Sequence, residues 1–103
     1  MRVVWDPQAL EARTQVAAYI RREFWAKRKT RFLQEVRDMT QRLKRSPGIG
    51  QIDPLFLDRA RTYRSVIING LNKMVYFIEG DILYIAGFWD TRMEPEDQAA
   101  QVK

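Results

Sequence analysis

The sequence predicts an α+β fold: an N-terminal strand, an antiparallel helical hairpin, a three-stranded antiparallel meander and a short C-terminal tail, in one domain over residues 1–103. Three observations predict it. Apolar residues recur at helical spacing between Pro7 and Leu43. From Tyr63 to Trp89 the chain turns to β-branched and aromatic runs. The connections between those runs are too short for anything but antiparallel neighbours.

The elements follow in order. Arg2 to Trp5 (RVVW) is a β-branched run stopped by Asp6-Pro7, where Asp6 can cap a helix and Pro7 fits its first turn. A helix from Pro7 to about Phe24 is expected to bury Leu10, Ala17, Ile20 and Phe24, with Val16 beside them. The pattern loses phase around FWAKRKT, which marks a turn. A second helix, about Ala26 to Leu43, carries Phe32, Val36, Met39 and Leu43 as an apolar stripe. Pro47, Gly48 and Gly50 end it. So short a connection makes the two helices antiparallel. Gln51 to Thr62 reads as a loop with an apolar plug, Leu55-Phe56-Leu57, in which core burial is favoured. Three strand-like runs follow: YRSVIIN before Asn69-Gly70, KMVYFIE before Gly80-Asp81, and ILYIAGFW ending at Asp90. The segment after Pro95 reads as a short helix or frayed tail. The first strand has no local partner and must join an edge of the meander.

Composition bounds the chemistry. Apolar residues are 46% and charged residues 30% of the chain, the balance of a folded domain. Cysteine and histidine are both absent, which removes disulfides, thiolates, the usual metal ligand and the usual neutral-pH proton carrier. No metal or cofactor is expected. No segment is apolar enough to span a membrane, and a cytosolic protein is expected. The net charge of +5 favours polyanions or acidic partners.

LKRSPGIG, YRS and NKMVYFIEGDILYIAGFWDTRMEP together resemble the RelE/ParE superfamily, the toxins of bacterial type II toxin–antitoxin pairs. The matching positions are Leu43, Pro47 and Gly50, then Tyr63-Arg64, Lys73, Val75-Tyr76 and Arg92. The resemblance implies a RelE/ParE-like toxin domain neutralised by a cognate antitoxin. It implies one of two targets: DNA gyrase, inhibited without cleavage as by ParE-like members, or ribosome-bound mRNA, cut as by RelE-like members. A relative that binds its antitoxin without being toxic is a third alternative. The shared fold does not choose between them.

If the chain is a nuclease, Arg64, Lys73 and Arg92 are the candidate catalytic cations. They are expected to converge on one phosphate, with Arg59 and Arg61 in the preceding loop; Lys73 stands where many family members carry Arg. Nuclease members usually place a Tyr or His near the C-terminus, and neither follows Tyr84 here, which favours the ParE-like mechanism. Asp90 and Arg92 also have the spacing of a local ion pair, and a structural clasp is the favoured reading of WDTR. Trp25, Lys27, Arg28 and Lys29 form a basic hairpin tip that is either a solvated charge cluster or a target contact. Phe88 and Trp89 are candidate antitoxin contacts that could equally be core.

Overall fold

The first strand of the chain pairs with the last. The computed structural model describes residues 1–102, in which β1 (Arg2–Trp5) lies parallel to β5 (Ile82–Asp90), Val3 opposite Leu83 and Trp5 opposite Ile85. β1 thus joins the meander at one edge, as expected. Between them run α1 (Pro7–Glu23), α2 (Ala26–Arg45), a two-residue β2 (Gln51–Ile52), a 3-10 turn at Pro54–Phe56, β3 (Arg64–Ile68) and β4 (Asn72–Glu79). A last helix, α3, covers Pro95–Gln101. The sheet has five strands in the order β1-β5-β4-β3-β2, the additional strand being β2, antiparallel to β3. No described helix is long and apolar enough to cross a membrane.

Local chemistry explains the helix boundaries. The Asp6 carboxylate accepts the Gln8 N–H at 3.0 Å, and Pro7 occupies the first helical position. α2 buries Phe32, Val36 and Leu43, with Met39 half-buried, on the stripe its spacing predicts. α1 departs from expectation. Leu10 and Phe24 are 39% and 44% exposed. The face it turns to the core is lined by Ala9, Ala12, Val16, Ala17 and Ile20. A stripe rich in alanine lets the helix axis lie close to the sheet, and Leu10 is rotated off it.

The sheet is covered on both faces. The helical hairpin covers one, where Met74, Tyr76, Leu83, Ile85 and Phe88 meet Ala17, Phe32, Val36 and Leu43. On the other, Phe56, Tyr63, Val75, Trp89 and Val102 form a second cluster. Within the 55–57 plug Phe56 is 1% exposed and Leu57 69%, so the expected core role holds for the phenylalanine and fails for the last leucine.

A β-bulge sorts the aromatics between faces. Tyr76 pairs with Ile85 and Val75 with Gly87, which leaves Ala86 extra on β5. The extra residue shifts the alternation, so that Leu83, Ile85 and Phe88 share the helix face while Trp89 faces the other way. Gly87 is required beside it, because a Cβ there would collide with the Trp89 indole.

Candidate functional site

Lys73 lies at the centre of the second face. Its Nζ is 2.6 Å from Asp53 Oδ2 and donates to Gln98 Oε1 at 3.0 Å. The Asp53 side chain is 2% exposed and that of Lys73 14%. Asp53 Oδ1 accepts the Leu55 N–H at 3.0 Å, and the Asp53 N–H donates to Tyr63 O. Gln98 in turn donates to Met93 O at 2.7 Å. One buried cation therefore ties β4, the loop before the 3-10 turn and α3 together. An ammonium neutralised by a buried carboxylate at this distance is not free to take a phosphate.

Arg64 lies on the opposite face. It pairs with Tyr76 across the sheet, whereas Lys73 pairs with Ile67 and Trp89. Its guanidinium donates to Gly50 O at 2.8 Å and caps the end of the α2–β2 turn. Beside it the Tyr76 hydroxyl donates to Pro47 O at 2.6 Å and accepts the Gly50 N–H at 3.0 Å. A Cβ on Gly50 would approach that hydroxyl to 2.5 Å, which accounts for the glycine. Burial pushes the phenol above its ordinary pKa, against the opposing effects of the Gly50 N–H and the Arg64 charge. Tyr76 is thus a structural bolt and a poor proton carrier at neutral pH.

The expected convergence of Arg64, Lys73 and Arg92 is therefore corrected, and register supplies the reason. A two-residue Asn69-Gly70 loop would set Lys73 opposite Val66 and put Arg64 and Lys73 on one face. Ile68 instead pairs with Asn72, which places Leu71 in the loop as well. One extra loop residue moves every β4 side chain to the other face.

Arg92 is clasped. Its Nε and Nη2 donate to Asp90 Oδ1 and Oδ2 at 3.0 and 2.8 Å, and its N–H donates to Oδ1 at 2.7 Å. The Arg92 side chain and then its backbone N–H hold the Asp90 carboxyl at a pKa of about 2, down from an ordinary 3.8. Such a carboxylate is too acidic to act as a general base near neutrality. A lowered folded-state pKa adds stability that is present above about pH 4 and lost as pH falls toward 2. The pair is open to solvent, so its contribution is less than the pKa implies. Asp90→Asn is expected to lower Tm by at most a few degrees at pH 6 and by less at pH 2, measured by thermal melts across pH.

The candidate binding residues are scattered. Arg59 donates to Val102 O and Ala99 O at 3.2 and 2.8 Å, satisfying carbonyls at the end of α3. Arg61 lies over the Phe77 ring at 4.4 Å and pairs with Glu79 at 3.5 Å. Phe88 and Trp89 are 2% and 4% exposed, one in each core cluster. As antitoxin contacts they are corrected: the bulge turns each ring into a hydrophobic layer. Trp25, Lys27 and Arg28 are exposed at the hairpin tip, and Lys29 is partly buried there.

The sequence points to sheet edges and helix grooves as docks for a partner without naming their residues, and the structure has a groove at the outer edge of β3. β2 pairs with Arg64 and Ser65, leaving the rest of that edge without a strand. A groove of about 640 Å³ wraps it, lined among others by Met39, Arg42, Ile49, Leu55, Val66 and Ile67. Ile49, Ile52, Ile67 and Leu71 are about half exposed along it or near it. The Asp53, Lys73 and Gln98 cluster lines the same groove, and an open edge of this mixed kind can take an added strand. The signal available in sequence was Ile67 and Leu71 flanking a turn, with no apolar partner assigned to them.

No family model and no curated relative matches the sequence. Solved structures share its fold, among them the following two. The chromosomal ParDE TA system from P. aeruginosa superposes with a TM-score of 0.71 at 11% identity, over 87% of this chain and 95% of that one. The YoeB dimer from Staphylococcus aureus superposes with a TM-score of 0.55 at 21% identity, over 84% of this chain and 92% of that one. The likeness is one of fold, and the ParE-like architecture expected from the motifs is the one present.

Proposed function

We propose that this chain is the toxin of a toxin–antitoxin module and that it acts by binding its target, as ParE-like inhibitors of DNA gyrase do, rather than by cutting RNA. The toxin reading draws on the fold shared with the ParDE and YoeB proteins and on the family motifs around Pro47, Arg64 and Arg92. The observation that carries the mechanism is the dispersal of the cations. Arg64 and Lys73 lie on opposite faces, Lys73 is neutralised by Asp53, and Arg92 is neutralised by Asp90. RNA cleavage by its own 2'-hydroxyl needs a base, an acid and a cation around one phosphate. Asp90 is too acidic for the first role, and Tyr76 is buried.

The cognate antitoxin is the partner this reading requires. The open edge of β3 is the dock that suits it, by strand addition into the Ile49–Ile67 groove, with the +5 charge steering an acidic segment. The test is induced expression followed by primer extension on abundant transcripts and a plasmid supercoiling assay. Growth arrest with intact transcripts and altered supercoiling, persisting in Arg92→Ala, is the expected result. Cleavage within codons that disappears in Arg92→Ala overturns it in favour of a RelE-like nuclease. No growth defect leaves an antitoxin-binding relative that is not toxic.

A further inference from the structure

The chain's excess charge is concentrated at one end. Residues 21 to 31 hold six of the 18 cations and one of the 13 acids, so the rest of the chain is balanced at twelve of each. That segment is the tip of the helical hairpin. α1 ends at Glu23 and α2 begins at Ala26, so Phe24 and Trp25 alone make the bend. They are 44% and 57% exposed. The Arg28 guanidinium lies over the Phe24 ring at 4.5 Å, and that of Arg22 over the half-exposed Tyr19 ring at 5.7 Å. Arg22 contacts Glu23 at 3.5 Å and Arg31 contacts Glu35 at 3.6 Å. Among the described residues Arg21, Lys27 and Lys29 have no acidic partner.

Stability explains Arg21 and Arg22, which suit the C-terminal end of the α1 dipole, but not the cations that open α2. The first turn of α2 has no acid, and its cap residue Trp25 makes no side-chain cap bond. Lys27, Arg28 and Lys29 there oppose the positive end of the helix dipole, which is unfavourable. Lys27 and Lys29 break this local rule with no local partner to offset it, which points to a use elsewhere.

We infer that the hairpin tip binds single-stranded nucleic acid, its cations on the phosphodiester backbone and the Phe24 and Trp25 rings as stacking surfaces for bases. Cations interleaved with half-exposed aromatic planes are the combination that single-strand binding uses. An acidic protein segment fits less well. Interface anchors of that kind sit in desolvated pockets, whereas Phe24 and Trp25 stand open at the bend and line neither the β3-edge groove nor the cleft between α1 and β5. The site is independent of the β3 edge and does not depend on which target the toxin reading assigns. RNA and DNA share the backbone chemistry.

The test is fluorescence anisotropy of the full chain with labelled oligonucleotides of about 12 nucleotides, RNA and DNA of one sequence, across salt. Binding that weakens about 20- to 50-fold between 50 and 200 mM salt is expected, the release for three or four phosphates. Lys27→Glu/Arg28→Glu/Lys29→Glu is expected to abolish it, and its new acids favour the start of α2, so the fold persists. Trp25→Ala is expected to weaken it about tenfold. Equal affinity for RNA and DNA supports a backbone site; a preference for one supports the site and names its source. Absence of binding at 50 mM salt overturns the proposal, as does binding unchanged by the charge reversals. An acidic peptide that competes at equal affinity, with no effect of Trp25→Ala, also overturns it and makes the tip a protein contact.

Discussion

Lys73→Met is expected to destabilise the protein by about 3–5 kcal/mol, because it leaves a buried carboxylate without its counter-charge. Asp53 is 2% exposed, and its Oδ2 has Lys73 as its partner at 2.6 Å. Methionine keeps most of the volume and removes the ammonium. The loss should appear as a lower urea midpoint with an unchanged slope. Asp53→Asn/Lys73→Met is expected to recover much of it, since an uncharged pair in place of a buried ion pair is often close to neutral. Recovery would identify the single-mutant loss as a folding effect. Toxicity lost in Lys73→Met and regained in the double variant would separate that effect from catalysis. An unchanged urea midpoint in Lys73→Met would mean that Asp53 reaches water or another partner.

Phe88→Ala is expected to cost a similar amount, about 3–5 kcal/mol, as large aromatic deletions in cores do. The Phe88 ring meets Trp5 at 6.0 Å and Phe32 edge-on at 6.1 Å, so it joins β1, β5 and α2 in one cluster. The measurement is again the urea midpoint, together with antitoxin affinity at a temperature where the variant remains folded. A ring that served as a partner contact would lose affinity with little loss of stability. The burial of Phe88 requires the reverse.

Much of the fold was legible because its signals are local. Phe32, Val36, Met39 and Leu43 declare the face of α2, and Pro47 to Gly50 declare its stop. Asp90 and Arg92 are two residues apart, so their pairing needed no knowledge of the rest of the chain. What was not legible depends on counting across a turn or between distant segments. Leu71 joining the β3–β4 loop reversed the face of Lys73 relative to Arg64. Ala86 joining a bulge put Phe88, rather than Trp89, on the face of Leu83 and Ile85. Asp53 came from a stretch that read as loop, and nothing in its neighbours announced a lysine twenty residues on. A site assembled from strand parity is thus the least readable kind, because one inserted residue inverts it.

The parallel pairing of β1 with β5 also sets an order of events during synthesis. Val3 cannot find Leu83 until the seventy-nine residues between them have been made. The helical hairpin, whose contacts are local, is free to form while the chain is still growing, whereas β1 must wait beside it. β5, which closes the sheet, and α3, seated on it through Arg59 and Lys73, emerge only after that. The nascent chain therefore has its basic tip long before it has its finished sheet. Premature termination before β5 leaves the N-terminal strand with no place to go.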